Sequence, residues 1–190
     1  MAQARFRVGI TRDNIKPDGK PIFDESAFNI LREAGIDYEF LPALEAELTP
    51  ETAAKYDALA VMLAKVTRKT VSGPNRKLKL IARFGVGYDT VDVPACTENG
   101  VILCITPDGV RRPVATSALT FILMLAQRVL IKDRLTRAGR WAERVNEMGT
   151  GLSGRVLGSI GVGNIGSELF RLAAPFGMKH LACDPYVTRE

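Results

Sequence analysis

A glycine pattern late in the sequence has the residue types that bind a dinucleotide diphosphate. Gly161, Gly163 and Gly166 form a GxGxxG pattern, with Asn164 and Ile165 between the last two glycines. We expect Gly161 to permit a tight turn, Gly163 to let the backbone approach a pyrophosphate, and Gly166 to let a helix pack closely on a strand. The free amides and the positive dipole end of that helix would face the diphosphate.

The segments around this pattern predict a strand–helix–strand unit. Residues 155–160 and 178–183 have the composition of strands, and residues 167–176 have the apolar spacing of a helix. Asp184 follows the second strand, 18 residues beyond the last glycine, where a carboxylate accepts hydrogen bonds from the adenosine ribose hydroxyls. A carboxylate there repels a 2′-phosphate, so the sequence predicts NAD as the cofactor, with Arg189 as the nearby residue that favours NADP.

The elements ahead of this unit alternate between strand-like and helix-like segments. Gly35 is placed to end the first helix, residues 23–34, and Thr49 with Pro50 to begin the second. This alternation predicts a parallel βαβ series, and therefore one doubly wound domain over residues 1–106. The predicted strands of this domain are residues 6–10, 38–41, 58–63, 78–82 and 101–105, with a further helix at 93–99.

The pattern changes after residue 106, so we predict a second domain over residues 107–190. Residues 113–130 predict a long apolar helix, and residues 131–147 an amphipathic, charged one. The glycine-rich segment 149–154 connects these helices to the strand–helix–strand unit.

Composition excludes several classes of protein. The 190 residues are 46% hydrophobic and 25% charged, which is typical of a soluble globular protein. The first residues lack the apolar run of a secretory signal, and the longest apolar stretch, 118–126, is too short to span a bilayer. The three cysteines share no metal-ligand spacing, so we expect buried thiols in a reducing cytoplasm and no metal site; they are Cys96, Cys104 and Cys183.

A basic run is the one feature that suggests nucleic-acid binding. The net charge is +5, but no aromatic residues interleave with the run, and it matches no known nucleic-acid motif. We therefore expect a solvated surface and no nucleic-acid partner. The run comprises Lys65, Arg68, Lys69, Arg76, Lys77 and Lys79.

Several segments, in order along the chain, resemble the D-isomer-specific 2-hydroxyacid dehydrogenases. This family includes phosphoglycerate, glycerate and D-lactate dehydrogenases and the C-terminal-binding-protein corepressors. Residues 78–92 are similar to its substrate-loop segment, 99–107 to the strand before its interdomain helix, and 156–166 and 176–186 to its nucleotide-binding region. The resemblance implies an α/β fold: a flavodoxin-like parallel-sheet substrate domain, followed by the beginning (β-α-β) of a Rossmann NAD-binding domain. The matches outside the glycine pattern argue against other GxGxxG proteins, such as methyltransferases.

The resemblance also implies a reaction and its binding residues. The family transfers a hydride between NAD(H) and the C2 carbon of a 2-keto or 2-hydroxy acid. The backbone amides of Gly85, Val86 and Gly87 would bind the substrate carboxylate, and Met62 and Leu63 would line its other side. Neither of these two side chains can hold a phosphate, which argues against a phosphorylated substrate, although Lys65 could substitute.

The start of the long helix is implied to lie near the cofactor. Val110 and Val114 would approach the nicotinamide and the phosphates. Arg111 and Arg112 would either bind an anionic substrate or the cofactor diphosphate, or be solvated at a helix start. Both alternatives are open from the sequence.

No catalytic residue is assigned. The family uses a His, an acidic residue and an Arg from later in the nucleotide domain, and this sequence ends at Glu190 before those positions. The only histidine, His180, lies in a predicted strand and is expected to be structural. We therefore expect a fragment or a truncated product of an enzyme that is a homodimer when complete, pairing through the segment around Trp141. The alternative is a non-catalytic NAD-binding or corepressor-like binding protein.

Overall fold

The computed structural model describes residues 5–73 and 76–188. Arg189, the residue that would favour NADP over NAD, lies outside the described residues. The chain divides into two compact units, the first ending at Pro107 and the second beginning at Asp108. Their assignment as substrate domain and nucleotide domain stays a prediction.

The first unit is built on a five-stranded parallel sheet in the order β2-β1-β3-β4-β5. This is the flavodoxin-like order of a doubly wound sheet, so the predicted fold class is confirmed. The strands are β1 (Arg7–Ile10), β2 (Asp37–Phe40), β3 (Ala58–Val61), β4 (Leu80–Arg83) and β5 (Ile102–Cys104).

Short helices connect these strands, and their ends follow the predicted signals. Thr49 caps one helix by accepting a hydrogen bond from the Thr52 amide at 3.1 Å, with Pro50 as the first helical residue. Gly35 ends another in the left-handed conformation, with φ of +65°. That helix is shorter than predicted, because residues 25–28 form a 3₁₀ turn ahead of it. The helices are α1 (Asn29–Glu33), α2 (Pro50–Ala53), α3 (Arg68–Val71) and α4 (Val93–Glu98).

The core of the first unit lies on both faces of the sheet. All four residues of β3 are buried, as expected for a central strand covered on both sides. Leu59 and Val61 pack with Ile81 in one cluster, and Ala58 and Ala60 pack in the other. Such burial keeps the carboxyl ends of the strands, where the predicted loops begin, in fixed positions.

A buried tyrosine makes the first unit sensitive to alkaline pH. Tyr56 is 2% exposed and donates a hydrogen bond to Glu39 at 2.5 Å. Burial, with the hydrogen bond to Glu39, raises the pKa of Tyr56 to about 12. Because the folded pKa lies above the unfolded value near 10, the neutral phenol stabilises the fold fully below pH 10. That stability is lost as pH rises from 10 through 12, by about 3 kcal/mol.

Urea unfolding at a series of pH values measures this effect. We expect the free energy of unfolding of the Tyr56→Phe variant to depend less on pH between 10 and 12 than that of the wild type. The exposed Tyr186 gives a matched control, Tyr186→Phe, which should leave the pH dependence unchanged. A difference in tyrosinate absorbance between the wild type and Tyr56→Phe that titrates near pH 10 would contradict the prediction.

The second unit has three α-helices and a two-stranded parallel sheet among its described residues. β6 and β7 pair from Val156 with Lys179 to Ile160 with Cys183. The β-α-β unit predicted around the glycine pattern is therefore present. The elements are α5 (Pro107–Ala126), α6 (Val129–Arg137), β6 (Val156–Ile160), α7 (Asn164–Ala173) and β7 (Lys179–Cys183).

The long helix begins earlier than predicted and is divided. The prediction of one helix over 113–130 is wrong, because α5 begins at Pro107, a residue whose fixed φ suits a first helical position, and contains Pro113. The chain leaves the helix at Arg128, which is left-handed with φ of +53°. The predicted second helix over 131–147 is shorter for a similar reason: α6 ends before Gly139, with φ of +69°, and a 3₁₀ segment follows. Within the described residues, no single helix has the length and apolarity to cross a membrane; α5 and α6, bent by 61°, reach those values only when joined.

The prediction that all three cysteines are buried is wrong for two of them. Cys96 is buried, whereas Cys104 and Cys183 are exposed. Cys104 lies on the edge strand β5, and Cys183 on the sparsely covered two-stranded sheet. On this sheet Ile160 is 97% exposed.

Candidate functional site

The glycine pattern forms a tight loop between β6 and α7. Gly161 has φ of +92°, a backbone conformation that residues with a side chain rarely adopt. Its amide donates a hydrogen bond to the Cys183 carbonyl at 2.8 Å. A Cβ at Gly166 would collide with the Gly161 carbonyl, whereas nothing lies within 4 Å of a Cβ at Gly163. Two of the glycines therefore serve the fold, and Gly163 leaves open space.

The first turn of α7 faces this open space with unused amides. The helix begins at Asn164, three residues earlier than predicted, with Gly163 as a cap that offers no side chain. The amides of Asn164, Ile165 and Gly166 therefore have no acceptor within the helix. Backbone donors beside open space fit a phosphate group, so these residues fit the diphosphate of a dinucleotide.

Asp184 faces the glycine loop and also holds it in place through hydrogen bonds. Its Oδ2 accepts from the Val162 amide at 2.8 Å, and its Oδ1 accepts from the Tyr186 amide at 2.9 Å. These two backbone hydrogen bonds, the Val162 one first, lower the pKa of Asp184 below its ordinary value. A carboxylate has about four acceptor positions, so two are left for ribose hydroxyls. The sequence did not predict this fastening role, because the Val162 contact is made across 22 residues.

The start of α5 lies against α7 within the second unit. Arg112 donates to Glu168 at 2.8 Å, and Arg171 donates to the same carboxylate at 2.7 Å. Glu168 is 6% exposed, and its pKa is lowered by Arg171 first and by Arg112 in addition. Arg112 therefore pairs with a buried carboxylate, while its own side chain stays 57% exposed. Sequence reasoning missed Glu168, which occupies an ordinary helical position.

The other residues predicted at this helix start have different surroundings. The Arg111 Nη1 lies 3.3 Å from the Asn164 Oδ1 and 3.3 Å from the Asp108 Oδ1. Val114 is 44% exposed and Val110 is half-buried. The structure therefore places Arg111 next to the first residue of α7.

In the first unit, the predicted substrate loop 85–87 follows β4. Gly85 has φ of +124°, and its amide donates to the Thr106 hydroxyl at 2.8 Å. In this structure Thr106 accepts the hydrogen of the Gly85 amide, and the predicted role of Gly85 at a substrate carboxylate stays a prediction. The amides of Val86 and Gly87 have no acceptor among the described residues. These two are the donors left for a carboxylate.

The predicted opposite side of that site follows β3 and is held by residues after β1. The Met62 amide donates to the Thr11 hydroxyl at 3.2 Å, and the Leu63 amide donates to the Asp13 Oδ2 at 2.8 Å. Asn14 is buried and donates to the Thr11 carbonyl. Both loops therefore lie at the carboxyl edge of the sheet, where doubly wound domains bind ligands. Sequence reasoning missed Thr11 and Asp13, because these contacts join residues about 50 positions apart.

Arg83 is a cation at this edge that sequence reasoning also missed. It is the last residue of β4, pairs in register with Val61, and donates to the Phe84 carbonyl just before the glycines. It is half-buried. The edge thus combines backbone donors with a positive charge.

The only histidine has the surroundings of a packed residue. The His180 ring stacks on Phe170 with a centroid distance of 4.5 Å and an interplanar angle of 14°. Among residues 5–73 and 76–188, no group of His, Cys, Asp or Glu side chains could hold a metal ion.

Comparison with known proteins gives the family. The sequence profile described as "D-isomer specific 2-hydroxyacid dehydrogenase, catalytic domain" matches residues 10–190. The D-3-phosphoglycerate dehydrogenase of Archaeoglobus fulgidus is 32% identical over 171 residues, covering 90% of this chain and 32% of that protein. The same-named enzyme of Sus scrofa is 31% identical over 190 residues, covering all of this chain and 34% of that protein. The chain thus spans about a third of the length of these relatives.

A solved structure shows the same fold. A D-isomer specific 2-hydroxyacid dehydrogenase described as NAD-binding, from Polaromonas sp., superposes with a TM-score of 0.78 and 25% identity. The match covers 98% of this chain and 57% of that one. With the profile match over residues 10–190, these comparisons place the chain in the family of D-isomer specific 2-hydroxyacid dehydrogenases.

Proposed function

We propose that this chain is the substrate domain and the beginning of the NAD-binding domain of an NAD-dependent D-2-hydroxyacid dehydrogenase. The observation that carries the proposal is the glycine loop, with open space at Gly163, unused amides on α7 and Asp184 bonded to the loop. The activity of such an oxidoreductase is hydride transfer between NAD(H) and a 2-keto or 2-hydroxy acid. Family membership supports that class of reaction.

The cofactor proposal assigns roles to the residues of the loop. Gly163, Asn164, Ile165 and Gly166 would hold the diphosphate, and Asp184 the adenosine ribose. Gly161 shapes the turn. Val110 and Val114 would lie on the side of the nicotinamide. NAD, when bound, supplies the hydride acceptor, which no amino-acid side chain can replace.

The substrate proposal rests on the carboxyl edge of the first sheet. The amides of Val86 and Gly87 would bind the substrate carboxylate, and Arg83 adds a positive charge nearby. Met62 and Leu63 would line the other side, held in place by Thr11 and Asp13. Because neither lining side chain is charged, we propose a small acid with an apolar substituent rather than a phosphorylated one.

Proton transfer has no assigned residue in this chain. A general base must reach the substrate hydroxyl, and the only histidine is stacked on Phe170. We therefore propose that these 190 residues bind NADH without turnover. The alternative function, a non-catalytic NAD-binding or corepressor-like binding protein, is favoured by the stacking of this histidine on Phe170.

The assembly and location proposals follow the family and the surface. We propose a homodimer that pairs through the segment around Trp141, since Trp141, Val145 and Met148 are 60%, 61% and 72% exposed. Sedimentation of the chain tests it. We also propose a cytoplasmic location, where the free thiols of the described cysteines stay reduced.

Calorimetric titration of the purified chain tests the cofactor proposal. We expect saturable NADH binding with a Kd of about 1–100 µM, tighter than that for NADPH. When pyruvate or glyoxylate is added with NADH, the absorbance of NADH at 340 nm should not fall, because no NADH is oxidised. Absence of NADH binding would refute the proposed cofactor site, and oxidation of NADH would refute the absence of a base.

A further inference from the structure

Arg111 and Arg112 are adjacent, yet their bonding differs. Arg112 donates to Glu168, whose carboxylate is 6% exposed and is shared with Arg171. Arg111 contacts a neutral amide oxygen of Asn164 and the carboxylate of Asp108, which is 83% exposed. An exposed ion pair is weak because water screens it. Both arginine side chains are partly exposed, at 57% for Arg112 and 43% for Arg111, so the difference lies in their partners: Arg112 pairs with a nearly buried carboxylate, and Arg111 with an exposed one.

Arg112 fixes the position of Arg111. The Arg112–Glu168 pair joins the start of α5 to the body of α7 within one unit, and Glu168 is nearly buried. A charge-assisted pair of this kind holds its two helices in one register. Arg112 is thus a positioning residue, and it holds Arg111 beside the first turn of α7.

We propose that Arg111 is a direct ligand of the cofactor diphosphate. The proposal rests on the NAD site proposed above. Arg111 lies 3.3 Å from the side chain of Asn164, whose backbone amide is one of the unused donors of α7. A guanidinium binds two phosphate oxygens at once, and it can leave the Asn164 and Asp108 oxygens to do so. The GxGxxG loop supplies backbone donors alone, so Arg111 would add the site's positive side chain.

Three variants separate this role from effects on the fold. Arg111→Gln removes the charge, Arg111→Lys keeps it without the two-pronged geometry, and Arg134→Gln removes an exposed arginine elsewhere in the second unit. Each is titrated with NADH, ADP and adenosine by two-dimensional NMR. The first two ligands contain the diphosphate, and adenosine does not.

We expect Arg111→Gln to bind NADH and ADP about tenfold or more weakly than wild type and adenosine equally well. The Arg111→Lys variant should have NADH and ADP affinities between those of Arg111→Gln and wild type, and the affinities of Arg134→Gln should equal those of wild type. Wild-type protein that binds no NADH overturns the NAD site itself. Wild-type protein that binds NADH, with Arg111→Gln equal to it for all three ligands, overturns the role of Arg111 alone. An equal loss of adenosine affinity in Arg111→Gln also overturns it, since that ligand has no diphosphate.

Discussion

Replacing Gly163 with alanine is expected to leave the protein folded but to remove most of the NADH affinity proposed above. The position has φ of −63° and nothing lies within 4 Å of the added Cβ, so the free protein accepts the methyl group. The same methyl would occupy the space through which a pyrophosphate approaches the backbone. We expect an affinity loss of about 100-fold, with a thermal midpoint within about 2 °C of wild type. Calorimetric titration and thermal unfolding measure the two effects separately.

Two other glycines provide the controls for this prediction. Gly158→Ala, in β6, also adds a methyl to open space, but away from the loop, and should change neither affinity nor stability. Gly166→Ala puts its methyl into the Gly161 carbonyl and should lower both. If Gly163→Ala binds NADH as wild type does, the diphosphate does not approach this loop and the proposed cofactor site is wrong.

The features that the sequence predicted correctly are those with local causes. The burial of β3 follows from an unbroken apolar run, and the start of α2 follows from a Thr–Pro pair that has a cap and a fixed φ. The tight turn at Gly161 likewise follows from the freedom of glycine at positive φ. In each case the residues that decide the structure are within a few positions of one another.

The features that were missed or wrong depend on contacts distant in sequence. Thr106 takes the amide of Gly85 across 21 residues, and nothing near Gly85 reveals it. Glu168 is a buried partner of Arg112 across 56 residues, although its neighbours in sequence predict only a helix. Cys104 is exposed because its strand lies at the sheet edge, a fact of topology rather than of composition. The candidate sites are therefore predictable in their main-chain loops and much less so in the side chains that hold those loops.

Asp184 is expected to have the largest effect on the choice between the two nicotinamide dinucleotides. Asp184→Ala removes the proposed acceptor of the ribose hydroxyls and the repulsion of a 2′-phosphate, and it frees the Val162 and Tyr186 amides. We expect NADH affinity to fall by about 100-fold and the preference for NADH over NADPH to disappear. Asp184→Asn should bind NADH with intermediate affinity, because its amide oxygen still accepts one loop hydrogen bond.

The pH dependence of the same preference gives an independent test. Because backbone hydrogen bonds lower the pKa of Asp184, the carboxylate stays ionised across the range from pH 5 to 8. Its contribution to stability and to cofactor choice is therefore present above the ordinary aspartate pKa, and is lost only as pH falls through the lowered value. Between pH 6 and 8 only the 2′-phosphate of NADPH then titrates, so we expect the ratio of NADH to NADPH affinity in the wild type to follow that of the Asp133→Ala control at every pH. Asp133 is a matched choice, since it pairs with Arg137 on the exposed side of α6. If Asp184→Ala keeps the wild-type ratio while Asp133→Ala does too, the carboxylate does not face the ribose, and its role is only to fasten the loop.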